Sequence, residues 1–391
     1  QWIGRSHRWL KALAAELGLA TYPQYTQGRR VMDVDGRVHT YAGTIPRLAP
    51  WKLLQMQAAM TRLGRLVRTV DPRAPMAGRR AAELDSLSVE HIARRWLWSR
   101  APRSLFAAAA RMIFGAELSD VSLLYFLSYL QAGGGFEELI ETKHGAQESK
   151  FVGGAQGLSL AIARELGSRV ETDSPVRAIC QDDSGVSVVT DRQSYRARFA
   201  VLAIPPALRA QLRFTPMLPV LHDQLTQRAP MGATVKAIVT YDRPFWREAN
   251  LCGEAVCDRG PVSTTFDATP HGEARPALVA FIVGQQARTW SLRSAPERRE
   301  AVLAALSRCF GEAALRPRAF RDQDWSTEPW TRGCPVAALG TGVLSSCAAA
   351  LREPIGRVHI AGTESAREHP GYLEGALESA ERVSDELRAR S

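Results

Sequence analysis

Val358-His359-Ile360-Ala361-Gly362-Thr363-Glu364 is followed, after five residues, by Pro370-Gly371-Tyr372-Leu373-Glu374-Gly375-Ala376. The first run is short and apolar, with β-branched Val358 and Ile360, and Gly362 ends it. It reads as a buried strand. The second run opens on Pro and Gly, and residues 371–388 read as a helix that closes the chain. A helix N-terminus gathers free N–H groups and the positive end of a dipole. That suits a phosphate or another anionic group. Gly371 lets the backbone approach such a ligand closely. Taken alone, the unit reads first as an ordinary strand-to-helix turn with glycine, and only second as a site.

Working outward, the residues before this unit continue the strand character. A short helix is expected at 158–166, then strand-like runs at 169–172, 176–181, 186–190 and 199–204. The Asp182-Asp183-Ser184-Gly185 turn separates two of them, and Pro205-Pro206 ends the last. Further strands are expected at 234–241 and 277–283, and a helix at 297–310. Residues 50–130 are largely helical, with pieces at 51–70, 89–99, 104–114 and 121–130. Pro72, Pro75, Pro102 and Gly133-Gly134-Gly135 punctuate them. At the other end, 7–19 predicts an amphipathic helix with Trp9, Leu10, Leu13 and Leu17 on one face and Gly18 at its end. Residues 29–41 predict a hairpin turning at Asp35-Gly36. A helical block between strand-bearing parts points to an α/β or α+β core with an inserted helical lobe. Sheet order is not fixed by these patterns.

Composition narrows the class. The chain has 391 residues and 45% hydrophobic content, enough for two domains or one large domain with an inserted lobe. The charge of +10 is spread along the chain, without a block of like charges and without a nucleic-acid-binding motif. An arginine-rich protein with no nucleic-acid partner is the simpler reading. No apolar run reaches the roughly 18–20 residues of a membrane span. The most apolar stretch, 104–114, contains Arg111. Six cysteines in a chain this long do not form a disulfide scaffold, and none pairs with a neighbour at zinc spacing, so no metal is expected. A cytoplasmic, reducing setting is the default. There is no Gly-x-Ser-x-Gly elbow, no P-loop and no Gly-x-Gly-x-x-Gly. The opening Gln1-Trp2-Ile3-Gly4 carries no Met and no charged leader, and reads as a chain that begins partway through a fold.

Several segments, in order, resemble the flavin-containing monoamine oxidase family. They are Gln1-Trp2-Ile3-Gly4; Gly145-Ala146-Gln147-Glu148 with Lys150-Phe151-Val152-Gly153-Gly154; Ala203-Ile204-Pro205-Pro206; Met231-Gly232-Ala233-Thr234-Val235-Lys236; Pro244-Phe245-Trp246-Arg247; and the C-terminal pair quoted above. The resemblance covers nearly the whole chain. It implies an α/β, two-lobed FAD-dependent amine oxidase fold that lacks its N-terminal βαβ unit of ~30 residues or more. The FAD-binding domain would comprise residues 1–21, 151–225 and 328–391, and the substrate-binding domain 22–150 and 226–327. The absent unit would carry the glycine-rich phosphate loop, which leaves open whether this chain is active by itself.

The resemblance also assigns residues. Cys334 matches a cysteine that some members bond to the flavin 8α carbon, so FAD contact is implied and a covalent link stays open. A small buried cysteine is the plain alternative. The best-known members have Tyr after this Cys, facing a second Tyr across the flavin. Here the first is Pro335 and the second matches Tyr372. The cage is therefore half aromatic, and the substrate class is less constrained. Lys236 matches a lysine that holds a water beside flavin N5 and assists reoxidation by oxygen. Its alternative is a lysine on the solvent face of an edge strand. Trp2, Val176, Trp325, Gly362, Thr363, Gly371 and Leu373 match cofactor contacts. Met112, Ile113, Ile140 and Gln147 match the wall of the amine cavity, although helix core packing explains Met112 and Ile113 equally well.

The implied chemistry is transfer of a hydride equivalent from the carbon beside nitrogen to flavin N5. The imine then hydrolyses to an aldehyde or ketone, and O2 is reduced to hydrogen peroxide. The helix near Gly371 would stabilise charge developing on the ring. The partners are a small amine and O2, with no membrane anchor, and the resemblance is compatible with a homodimer. Two other readings stay open: a non-catalytic flavoprotein-like binding module, and an oxidase of a polyamine or amino acid. The last would want an Arg in the cavity, and the sequence does not place one there.

Overall fold

The computed structural model describes residues 1–272 and 275–390. Its largest sheet has seven strands in the order Ala319–Asp324, Thr234–Thr240, Ala277–Val283, Thr264–Asp267, Leu251–Cys257, Arg29–Val34 and Arg37–Tyr41. Neighbours run antiparallel except Leu251–Cys257 beside Arg29–Val34, which are parallel and come from distant parts of the chain. The hairpin expected at 29–41 is present. Asp35 and Gly36 both take positive φ, 58° and 77°, as a tight turn matching strand twist requires. A four-stranded sheet is ordered Arg213–Thr215, Val176–Asp182, Gly185–Thr190, Ser194–Ala197, and a two-stranded parallel pair joins Val358–Ile360 to Ala200–Leu202.

The helical block is built as its periodicity predicts. Pro50–Val67, Val89–Trp96, Arg100–Phe114 and Leu123–Ala132 bury one continuous apolar core that includes Leu63, Ile92, Phe114 and Phe126. Ser122 caps the last of these, its Oγ accepting from Tyr125 N. Gly115, in the left-handed conformation at φ 61°, ends Arg100–Phe114. Thus Met112 and Ile113 lie on the final turn of a helix that stops beside the long sheet.

Two sequence expectations fail locally. Residues 169–172 form no strand. Gly167–Arg169 is a 3-10 turn, and the exposed Ser-Arg-Val-Glu segment pairs with no strand among the described residues. The C-terminal helix runs Leu373–Arg388 rather than starting at Gly371, because Tyr372 is extended (φ −113°, ψ 161°) and serves as its N-cap. The strands Leu251–Cys257, Thr264–Asp267 and Ala319–Asp324 went unpredicted. The last, Ala-Phe-Arg-Asp-Gln-Asp, has no apolar alternation and carries charge on half of its residues, and pairing with Thr234–Thr240 defines it more than its own composition.

Glu374 locks the two ends of the chain together. Its carboxylate, fully buried, accepts from Trp9 N (3.0 Å) and Leu10 N (2.8 Å), the free donors at the start of Arg8–Glu16. An acidic group at a helix N-terminus satisfies both orphan donors and the dipole. Glu374→Ala leaves two buried N–H groups unpaired. We expect it to destabilise the fold by about 3 kcal/mol, read as a lower urea midpoint at unchanged slope. An unshifted midpoint would show that the cap contributes nothing.

Candidate active site

One face of the long sheet floors a cavity of about 760 Å³. Register explains its floor. Lys236 pairs with Phe281, Phe281 with Thr264, and Thr264 with Val256, and all four side chains line the cavity. At strand spacings of ~4.8 Å this row spans roughly 14 Å. Met112, Ile113, Ile140 and Gln147 also line the cavity. Met112 Sδ accepts from Thr264 Oγ1 at 2.9 Å, which ties the helix end to the sheet.

The expected site residues gather here with one exception. Cys334, Pro335, Trp325, Trp2, Gly362, Thr363, Gly371, Tyr372 and Leu373 all line the cavity alongside Lys236. Val176 is not among its lining residues. It starts the Val176–Asp182 strand and packs on the Ile179, Val186 and Leu202 cluster. Lys236 is half-buried, donates to Gln1 Oε1 and lies 5.9 Å from the Phe281 ring centre. No carboxylate pairs with it among the described residues. Burial holds its ammonium below the usual lysine range, partly offset by Cys334. Burial pushes the Cys334 thiol up, and the Lys236 charge opposes that.

The backbone around Cys334 is tightly crossed. Gly232 N donates to Val336 O at 2.9 Å, Cys334 N to Gly232 O at 2.8 Å, and Ala233 N to Gly115 O at 2.8 Å. A Cβ on Gly371 would meet Tyr129 Oη at 2.2 Å, so that glycine is needed where the turn passes the helical block. Thr363 Oγ1 donates to Tyr372 O at 2.9 Å and ties the strand end to the helix cap.

Tyr372 is backed by two buried histidines. Its ring lies 5.3 Å from His7 and 6.4 Å from His369. His7 Nδ1 accepts from Gly4 N at 3.0 Å, so the ring is held neutral. Burial, with His369 nearby, lowers His7 to about 3, and burial also lowers His369. The unfolded chain has ordinary histidines at ~6.5. Between pH 6.5 and 3 it therefore binds protons that the folded state refuses, and stability falls as pH falls through that window. We expect a slope of at most about 1.4 kcal/mol per pH unit from His7. A His7→Gln variant with the same acid slope as the parent would refute this assignment.

Sequence reasoning missed the charged far side of the cavity. Arg30, Glu141 and Glu254 line it. Arg30 pairs with Glu141 at 2.8 Å and with Glu254 at 3.3 Å, while Thr142 Oγ1 donates to Glu254 at 3.2 Å. Burial raises the Glu254 carboxyl, and burial with Glu254 nearby raises Tyr41 to about 12. No local signal marks these residues. The parallel pairing of Ala255 with Val31 brings Glu254 beside Arg30 across more than 200 residues of sequence. An Arg does stand in the cavity, but two carboxylates neutralise it.

Two features together define the class of site. The carboxyl ends of the parallel Ala200–Leu202 and Val358–Ile360 strands open on the cavity through Ala203, Pro205, Gly362 and Thr363. That crevice is where a dinucleotide sits in α/β proteins. Beside it is a largely apolar chamber with a half-buried lysine that pairs with no carboxylate among the described residues. The family described as flavin containing amine oxidoreductase matches residues 1–388, and the chain belongs to that family.

Relatives agree along the whole length. The chain is 37% identical to a probable flavin-containing monoamine oxidase A of Dictyostelium discoideum, over 99% of this chain and 86% of that protein. It is 37% identical to a putative flavin-containing monoamine oxidase AofH of Mycobacterium tuberculosis, over 99% and 85%. Among solved structures, a cyclohexylamine oxidase from Brevibacterium oxydans superposes with a TM-score of 0.94 at 32% identity, covering 99% of this chain and 87% of that one. A putrescine oxidase bound to putrescine gives 0.95 at 27%, covering 100% and 87%. The protein is thus an FAD-dependent oxidoreductase acting on amines. The residues present fit FAD: Gly362 (φ 99°) and Gly371 (φ 80°) line the crevice beside the parallel strand ends, and Lys236 and Cys334 line the same chamber. Among the described residues, no helix is long and apolar enough to cross a membrane.

Proposed function

We propose that the chamber between Lys236, Tyr372 and Gln147 is where the amine is oxidised. FAD, when bound, takes the two electrons lost by the amine and passes them to O2, giving hydrogen peroxide. Gly362, Thr363, Gly371 and Leu373 hold the cofactor, with Trp2 and Trp325 packing beside it and Val176 reaching its adenine end. Cys334 contacts the flavin. Acid precipitation distinguishes a thioether, which keeps the pellet yellow, from a contact, which releases the colour. Residues 1–21, 151–225 and 328–391 then form the cofactor domain, and residues 22–150 and 226–327 the substrate domain.

One observation carries the amine's placement. Gln147 Nε2 donates to Leu139 O at 3.0 Å, but Gln147 Oε1 is buried and unpaired among the described residues. A buried acceptor without a donor is unfavourable. A neutral amine has the N–H group it lacks, and Gln147, which lines the cavity, offers that oxygen once its amide turns toward the chamber. Tyr372 and Pro335 flank the nitrogen end. Met112, Ile113 and Ile140 surround the carbon body and exclude water. Lys236 Nζ holds a hydrogen bond beside the reacting ring edge. Because Glu141 and Glu254 already neutralise Arg30, the far wall offers a substrate carboxylate no free guanidinium to pair with, which favours a simple amine over an amino acid. Six free thiols support a cytoplasmic setting.

The test is peroxide formation with hexylamine and with 6-aminohexanoate. Hexylamine is the expected substrate. Gln147→Leu is expected to lower its kcat/KM by about 10–100-fold, the worth of one buried hydrogen bond partner. Turnover of 6-aminohexanoate in preference to hexylamine, or an indifferent Gln147→Leu, would reject this placement.

A further inference from the structure

Behind the cavity floor lies a group of side chains that amine oxidation does not use. Cys257 ends the Leu251–Cys257 strand, and Cys309 lies in the last turn of the Ala295–Phe310 helix, which packs on that strand. Their sulfurs are 3.6 Å apart, and the residues are 3% and 6% exposed. Strand alternation puts Glu254 and Val256 toward the cavity and Cys257 toward the helix.

Asp33 completes a trio whose potential ligand atoms lie within 4.8 Å of one another. A metal site is nevertheless a poor reading. Asp33 Oδ1 accepts from Arg259 Nη2 at 2.7 Å and Nε at 3.1 Å, and Oδ2 accepts from Arg308 Nε at 3.1 Å. Its lone pairs are engaged, and two guanidinium groups would repel a cation. What remains is two thiols in direct contact, each with the other as its sulfur neighbour. Bringing them to bonding distance needs a shift of ~1.5 Å, from 3.6 Å to the ~2.05 Å of a disulfide.

We propose that Cys257 and Cys309 are a peroxide-modified dithiol that closes to a disulfide and staples the long sheet to its covering helix. The oxidant rests on the amine-oxidase reading, because peroxide is that reaction's product. One thiol gives its sulfur electron pair to a peroxide oxygen, the O–O bond breaks, and a sulfenic acid and water form. The second thiol attacks that sulfur, the S–O bond breaks, and a disulfide and a second water result. Peroxide is neutral and water-sized, so burial that excludes bulky thiols does not exclude it. Contact with Cys309 and burial hold the Cys257 thiol high, so the modification is slow and records accumulated turnover rather than single events.

The experiment uses the whole protein, purified with reductant and desalted. Hydrogen peroxide is added directly, which separates this inference from the amine reading. After unfolding and alkylation, the number of free thiols is expected to fall by two. A cross-linked Cys257–Cys309 peptide should appear 2 mass units below the sum of its thiol parts. The oxidised protein should melt several degrees higher, and dithiothreitol should reverse this. Cys309→Ala should abolish the cross-link. An unchanged thiol count after prolonged exposure, or oxidation confined to Cys180 and Cys334 with the pair still alkylated, would overturn the proposal. In a second arm, hexylamine and O2 replace added peroxide. A cross-link in the first arm alone supports the dithiol and counts against the amine reading as its source of oxidant.

Discussion

Gly232→Ala should yield a protein that is destabilised by more than about 4 kcal/mol or fails to accumulate. A Cβ at this position would lie 2.2 Å from Phe114 O and 2.8 Å from Cys334 O. Both obstacles are backbone, so no side-chain rotation relieves them. Gly232 is also hydrogen-bonded to the 334–336 segment through both its N–H and its C=O. Relief therefore means separating the Cys334 and Pro335 wall from the end of the Arg100–Phe114 helix, which carries Met112 and Ile113. Stability and site geometry should fail together. Urea unfolding and peroxide production measure the two consequences. A variant with a wild-type midpoint and full activity would show that this crossing is slack.

Lys236→Met is expected to separate the two halves of turnover. Met has a similar length and no charge, and it removes a half-buried ammonium whose hydrogen bond partner is an amide rather than a carboxylate. The amine is held by Gln147, Tyr372 and the apolar wall, so anaerobic bleaching of the flavin by hexylamine should change less than about threefold. Reaction of the reduced enzyme with O2 should slow by about 100-fold, the usual effect of removing one preorganised charge from a dry site. Stopped-flow absorbance reads both rates. Equal slowing of both would make Lys236 part of amine binding. An unchanged oxygen rate would end its assigned role.

How much was legible in the sequence varies by region. The hairpin at Asp35-Gly36 and the strand Ala277–Val283 are set by local chemistry, namely turn residues that tolerate positive φ and an unbroken apolar run. The Arg100–Phe114 and Leu123–Ala132 helices follow from apolar periodicity. The start of the C-terminal helix does not. Tyr372 has a workable helix propensity, but its carbonyl is held by Thr363 Oγ1 and its ring by His7 and His369, which keep it extended. The Ala319–Asp324 strand is a tertiary product too, since half of its residues carry charge and its partner strand supplies the ladder.

The same division runs through the site. The sequence by itself determined the family, because Met231-Gly232-Ala233-Thr234-Val235-Lys236, Gly362-Thr363-Glu364 and Gly371-Tyr372 are local strings whose order survives in one dimension. Those strings carry Lys236, Tyr372 and the glycine turns, and the Arg332-Gly333-Cys334-Pro335 string carries Cys334. Only the tertiary structure placed Arg30, Glu141 and Glu254 on one cavity wall, and Cys257 against Cys309 behind the floor. Each of those groupings joins residues from separate strands or helices across long stretches of chain. Sheet order and register decide such meetings, and they arise from burial of whole faces rather than from any residue's own neighbours in sequence.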